Sequence, residues 1–149
     1  MNHTDAALVQ SALNIMHLAH SGQTDRSGEP YTGHTFRVGM LAYQITRHIH
    51  TMCIGFLHDV LEDCPGWTES RLLDAGIHKD VVESINTLTR RSSQRYDVYV
   101  NEIAIAGRLG AQHVVPVKIA DLEDNIGRPG ATPELYERYL KALHRLRGL

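Results

Sequence analysis

The sequence predicts an all-α fold, and three observations predict it. Apolar residues recur at three- and four-residue spacings nearly throughout, the period of amphipathic helices. The segment Cys53-Ile54-Gly55-Phe56-Leu57 is apolar all round, which suits a helix at the centre of a bundle. Only His113 to Ile119 carries a β-branched run that could be a strand. It has no second strand to pair with, and its Pro116 fits the first turn of a helix instead.

Taken in order, Thr4 or Asp5 is expected to cap a first helix with Leu8, Ala12, Ile15 and Ala19 on one face, ending near Ser21-Gly22. The turn formers between Gln23 and Tyr31 predict a substantial loop. A second helix is expected to follow His34, with Val38, Leu41, Ala42 and Ile45 inward. A third is expected from about Thr51 to Asp63, stopped by Pro65-Gly66. Thr68 caps a short helix ending at Gly76, and another runs from about His78 to Leu88. Ser92 or Ser93 is the expected cap of the next, which carries Tyr99, Ile103, Ala106 and Leu109. A helix from about Val115 to Ile126 follows, broken by Gly127-Arg128-Pro129-Gly130. Thr132-Pro133-Glu134 supplies a cap, a first-turn proline and a first-turn acid for the last helix, with Leu135, Tyr139, Leu143 and Leu146.

No repeat or linker divides the 149 residues, so one domain over 1–149 is expected. A chain of that length buries roughly two thirds of the surface its unfolded form exposes. The formal charge of -2 argues against general nucleic-acid binding. The start Met1-Asn2-His3-Thr4-Asp5 lacks a signal-peptide pattern. No apolar run approaches the ~20 residues that span a bilayer. Cys53 and Cys64 form no CxxC pair and read as buried free thiols, which suits a cytoplasmic setting. Ten histidines raise the prior for a metal site, although His3 and His144, near the termini, read as solvated.

The sharpest local feature is His58-Asp59-Val60-Leu61-Glu62-Asp63, ionisable residues at the end of the most apolar helix. Buried without partners they would cost several kcal/mol. A metal, a basic partner or water must meet them. Adjacent imidazole and carboxylate ligands suit Mn, Fe, Zn or Co better than Ca. Alone, the hexapeptide reads equally well as a solvated helix end. Two further pieces are Lys118-Ile119-Ala120-Asp121, with Asn125 one turn on, and His34 at the start of a helix.

Together these pieces resemble the HD superfamily of metal-dependent phosphohydrolases, an all-α HD-domain helical bundle. The order His, His-Asp, Asp is matched by His34, His58-Asp59 and Asp121. The segments Gly22-Gln23 through Gly28-Glu29-Pro30-Tyr31, Leu57 to Asp63, and Lys118 to Asn125 are similar to the hydrolase domain of RelA/SpoT proteins and their small single-domain relatives. The resemblance implies that His34, His58, Asp59 and Asp121 hold one divalent ion. In the family this is often Mn²⁺, and Zn²⁺, Fe²⁺, Co²⁺ and Ni²⁺ are compatible. It implies that metal-activated water attacks a nucleotide phosphate. Glu62 would orient or deprotonate that water. Asp63 would support it or protonate the leaving group, or serve only as a helix-end carboxylate.

Arg26, Lys118, Asn125 and Tyr96 are the candidate substrate contacts. Lys118 could instead pair with Asp121, and Tyr96 could simply pack in the core. Arg90-Arg91 read as solvated at a helix end. The pattern departs from the family at Asp25, where an Arg is usual; an acid there would repel phosphate. The expected activity is that of a guanosine-3′,5′-bis(diphosphate) 3′-pyrophosphohydrolase. The alternatives are a phosphohydrolase for a nucleoside mono- or triphosphate or NADPH, and a non-catalytic metal- or nucleotide-binding module. A nucleotide substrate, no membrane and a homodimer built on the last helix are the partners considered.

Overall fold

The computed structural model describes residues 3–148, and of His3 only the backbone, so the expected solvation of His3 and the reading of Met1-Asn2 lie outside the described residues. Among these residues the chain forms nine helices and no strand beyond a single Thr24–Pro30 bridge that pins the loop. They are α1 (His3–Ala19), α2 (Tyr31–Thr46), α3 (Ile49–Leu57), α4 (Val60–Asp63), α5 (Glu69–Asp74), α6 (Lys79–Thr87), α7 (Tyr96–Arg108), α8 (Val114–Gly127) and α9 (Pro133–Arg147). The all-α expectation is met, and the ambiguous segment at Pro116 is helical.

The apolar segment predicted to be central is central. Every residue of α3 from Thr51 to Leu57 is buried. The helix packs against α1, α2, α6 and α8. It lies closest to α2, where Gly55 faces Gly39: a Cβ on Gly55 would stand 2.6 Å from the Gly39 Cα. Two glycines thus let two helix backbones touch, and Phe56 fills the space beside them, stacked on Phe36 at 5.7 Å. The chain turns from α2 into α3 through Arg47, whose left-handed φ of 56° closes α2 with a bond to the Tyr43 carbonyl.

Thr68 and Thr132 cap as expected, accepting from the Arg71 and Leu135 amides. Other boundaries differ. Thr4 and Asp5 lie inside the first turn of α1. α2 starts at Tyr31, three residues before His34, because Pro30 fixes the φ that leads into it. α7 starts at Tyr96 with Arg95, not a serine, at its cap and no side-chain bond there. The predicted helix from Thr51 to Asp63 begins at Ile49 and is two helices, broken at His58-Asp59. Two predicted core residues are exposed, Ile45 at 48% and Leu109 at 83%, each on the last turn before a helix stops. Met16, fully buried, replaces Ala19 at the centre of the α1 face. Both cysteines are free and buried, and burial pushes their thiols up to about 12 for Cys53 and about 11 for Cys64.

Candidate active site

The break between α3 and α4 shapes the site. Adjacent residues in a continuous helix project about 100° apart. Here His58 ends α3 and Asp59, with ψ near zero (−1°), starts α4. The two side chains meet, with His58 Nε2 3.1 Å from Asp59 Oδ2. α2 brings His34 to the same point, its Nε2 3.7 Å from Asp59 Oδ2 and 3.1 Å from Asp121 Oδ1. α8 supplies Asp121, whose Oδ1 is 3.3 Å from His58 Nε2. His34, His58 and Asp121 are buried, and Asp59 is partly buried.

These spacings fit a metal ion. Bonds of about 2.1 Å place neighbouring ligand atoms about 3.0–3.4 Å apart in six- or four-coordinate geometry. The ligand atoms of His34, His58 and Asp121 all lie within 4.8 Å of one another, and those of Asp59 group likewise with Glu62 and Asp63. Asp59 therefore stands between the nitrogen donors and the two further carboxylates.

Both imidazoles are fixed through their other nitrogen. His58 Nδ1 lies 2.7 Å from the Gly55 carbonyl, and His34 Nδ1 lies 2.7 Å from Asp124 Oδ2. A carbonyl or carboxylate at Nδ1 holds the proton there and presents Nε2 as the ligand. Arg37 Nε in turn donates to Asp124 at 2.7 Å. Tyr31 donates its hydroxyl to Asp59 Oδ2 at 2.6 Å. Lys118 Nζ and Asn125 Nδ2 donate to the two oxygens of Asp121 at 2.8 and 3.0 Å. Burial works against charge on His34, but Asp121 and Asp124 outweigh it and raise its pKa. Burial likewise opposes ionisation of Asp121, yet Lys118 and His58 hold its carboxyl well below the usual carboxylate range.

Glu62 and Asp63, on α4, border a cleft of about 350 Å³ that also contains Asp59 and Asp121. The Glu62 carboxylate accepts the Arg90 amide at 2.7 Å. Burial and the charge of Asp59 raise Glu62 despite that bond. Burial, then Asp59 and Glu62, push Asp63 up to about 7. The same cleft is lined by Arg26, Arg90, Arg138 and Tyr96. Among the described residues none of these three arginines stands in an ion pair. Arg26 donates to the Tyr139 hydroxyl and the Asn125 carbonyl, both neutral, and Arg138 lies over the Tyr96 ring at 3.8 Å. The buried Tyr96 hydroxyl has no hydrogen-bond partner. A larger groove of about 1030 Å³ between α7 and α9 shares Tyr96 and Arg138 with the cleft but holds none of the candidate metal or acid–base residues.

All ten candidate residues therefore meet at one place: four donors, two carboxylates, and Arg26, Lys118, Asn125 and Tyr96 around them. At three positions, two of these ten and Asp25, the observed partners bear on the expected role. Lys118 is paired with Asp121, the alternative weighed for it. Asn125 is engaged at both ends, by Asp121 and by Arg128. Asp25 does not face the cleft as a free acid; its carboxylate accepts the Ser27 and Glu29 amides and lies 3.5 Å from Arg128. Sequence reasoning missed Asp124, Arg37, Tyr31 and Arg138. Asp124 carried a legible signal, three residues after Asp121 on the same helix face. Arg138 carried none, since it comes from a helix remote in sequence.

The His, His-Asp, Asp constellation thus sits at one point of an all-α bundle. No family model matches the chain. It is 29% identical over 146 residues to a guanosine-3′,5′-bis(diphosphate) 3′-pyrophosphohydrolase of Vibrio cholerae, 30% over 142 residues to one of Haemophilus influenzae, and 27% over 141 residues to the bifunctional (p)ppGpp synthase/hydrolase SpoT of Escherichia coli. Each match covers 86% of this chain and 20%, 21% and 20% of the respective relative, so the chain spans about a fifth of their length. Among solved structures, a metazoan SpoT ortholog described as hydrolysing ppGpp superposes with a TM-score of 0.76 at 19% identity, over 95% of this chain and 86% of that one. Most of this chain is thus similar in sequence to about a fifth of these (p)ppGpp-hydrolysing relatives, and it shares the helical fold of the metazoan ortholog. No helix of the described residues is long and apolar enough to cross a membrane.

Proposed function

We propose that the chain is a metal-dependent phosphohydrolase that removes the 3′-pyrophosphate of guanosine tetra- or pentaphosphate, with His34, His58, Asp59 and Asp121 holding one divalent ion, Mn²⁺ first among candidates. The observation that carries this reading is the joining, in one cleft, of four donor atoms at metal spacing, two carboxylates of raised pKa and three arginines without acidic partners. The relatives' named activity supports it. A bound ion supplies Lewis acidity, lowering the pKa of water and drawing electron density from a phosphoryl oxygen.

The chain's own residues do the rest. Glu62, held by the Arg90 amide, orients the attacking water and takes its proton. Asp63, which burial, Asp59 and Glu62 push up to about 7, is the group placed to give a proton to the departing 3′-oxygen. Arg26, Arg90 and Arg138 neutralise the pyrophosphate, a better-placed set than Lys118, whose charge is spent on Asp121. Tyr96 faces the nucleoside. The two buried thiols support a cytoplasmic setting.

One observation favours a second substrate. At the position where the family has a cation, Asp25 is spent on its own loop and on Arg128, so the purine is gripped differently here. Another nucleotide, NADPH included, is then the substrate. Both readings are tested by screening the Mn²⁺-loaded protein against ppGpp, NADPH and common nucleotides for released phosphate or pyrophosphate. Release from ppGpp alone supports the first and release from another nucleotide the second. Binding without any release would mark a non-catalytic module. Unchanged metal content and turnover in His58→Ala or Asp121→Ala would overturn the site assignment.

A further inference from the structure

A second gathering of nitrogen donors stands at the other end of α3. His48 caps α3, His50 lies in its first turn, His78 caps α6 and His113 caps α8. Four of the ten histidines meet there, from three separate stretches of chain, with Asp80 from the first turn of α6. Ring centroids lie 5.7 Å apart for His48–His50, 4.9 Å for His48–His113, 5.5 Å for His50–His78 and 6.4 Å for His50–His113. Eight residues of helix, about 12 Å, separate His50 from His58.

We propose that His50, His78 and Asp80 form a second metal site, for a divalent transition-metal ion of the Zn²⁺, Co²⁺ or Ni²⁺ class, with His48 and His113 as the reserve nitrogen donors beside it. The ligand atoms of the three residues all lie within 4.8 Å of one another. His50 Nδ1 is 3.5 Å from Asp80 Oδ2, close to the edge of a tetrahedral site with bonds of about 2.1 Å. His113 is held by Thr51, whose hydroxyl is 2.7 Å from Nδ1, leaving Nε2 as its free nitrogen.

The setting selects the class of ion. Three helix N-termini converge here, each with partial positive charge. A neutral imidazole is the form that ligates metals. Two imidazole donors with one carboxylate favour ions of this class over hard ions such as Ca²⁺ and Mg²⁺, which take oxygen ligands. Burial and the neighbouring His48 and His50 lower the pKa of His113. A histidine pile-up without metal would have to tolerate this crowding with a single exposed carboxylate as relief. An ion there would fasten the start of α6 to the start of α3. α6 leads directly to Arg90, whose amide holds Glu62.

The test uses the tag-free full chain, stripped by chelator, with Zn²⁺ and Co²⁺ as probes. Equilibrium dialysis should find two Zn²⁺ per wild-type chain. It should find one in His50→Gln/His78→Gln and one in His58→Gln/Asp121→Asn. Co²⁺ should give two sets of visible bands, each lost in one variant pair. Circular dichroism establishes that the variants fold; if His50→Gln/His78→Gln does not, Asp80→Asn, an exposed position, takes its place. A wild type that binds a single ion, or a His50→Gln/His78→Gln or Asp80→Asn protein that still binds two, overturns the proposal.

Discussion

At the scale of single residues, the proposed site separates groups that would act from groups that would hold. Glu62→Gln should keep metal content and reduce turnover on the order of 10²–10⁴-fold, measured as kcat beside elemental analysis. Asp124→Asn should do the reverse, weakening metal affinity about 10–100-fold because His34 Nδ1 loses its carboxylate; competition against a chelating dye measures it. A third prediction concerns pH. Burial, then His48 and His50, place the folded pKa of His113 below its ordinary 6.5. The unfolded chain therefore binds the proton first. Its contribution to stability is complete above about pH 6.5 and is lost as pH falls below it. In chelator-containing buffer the urea midpoint of the wild type relative to that of His113→Asn should fall between pH 7 and 5.5, the difference separating this group from His34, His58 and Asp63, whose raised pKa values act in the opposite sense. Residue identity was the most legible layer in the sequence: His34, His58, Asp59 and Asp121 were readable from motif order. The partners of those residues were not, because Lys118, Asn125 and Asp25 could each satisfy several contacts and only the packed structure chooses among them.

At the scale of elements, the α2–α3 contact sets the distance between His34 and His58. Gly55→Ala would place a methyl group 2.6 Å from the Gly39 Cα and 2.9 Å from its N, both backbone atoms that cannot rotate aside. The helices must separate. The expected cost is about 1–3 kcal/mol in denaturant unfolding, with weaker metal binding as well. Gly127→Ala, with nothing within 4 Å, is the control and should be neutral or stabilise by up to about 1 kcal/mol. Helix existence was legible from periodicity, and the caps at Thr68 and Thr132 were legible from residue type. The break at His58-Asp59 was not. No proline or glycine marks it, and the surrounding apolar run reads as one helix. The cause is tertiary: the side chains converge with His34 and Asp121, a requirement invisible to local pattern.

At the scale of the whole molecule, the ion should act as a ligand of the native state alone. Mn²⁺ at about 100 times its dissociation constant should add about 2.7 kcal/mol to stability, and a chelator should remove it, read as a fall in Tm. An unchanged Tm would mean that the donors bind no ion tightly. The all-α architecture was readable in advance, whereas the arrangement that puts Arg138 of α9 against Tyr96 of α7 was not, since periodicity says which face is buried but not against what. The supply of the site from three stretches of chain also bears on how the molecule comes together. His34 and His58-Asp59 belong to neighbouring helices and can meet through a short loop, while Asp121 arrives from 62 positions further on. Closing that long loop carries the larger entropic cost and should come late. Three of the four donors are together before then, two imidazoles and one carboxylate. Capture of the ion should therefore favour the last step of folding, the docking of α8, and metal uptake during refolding should lag behind helix formation.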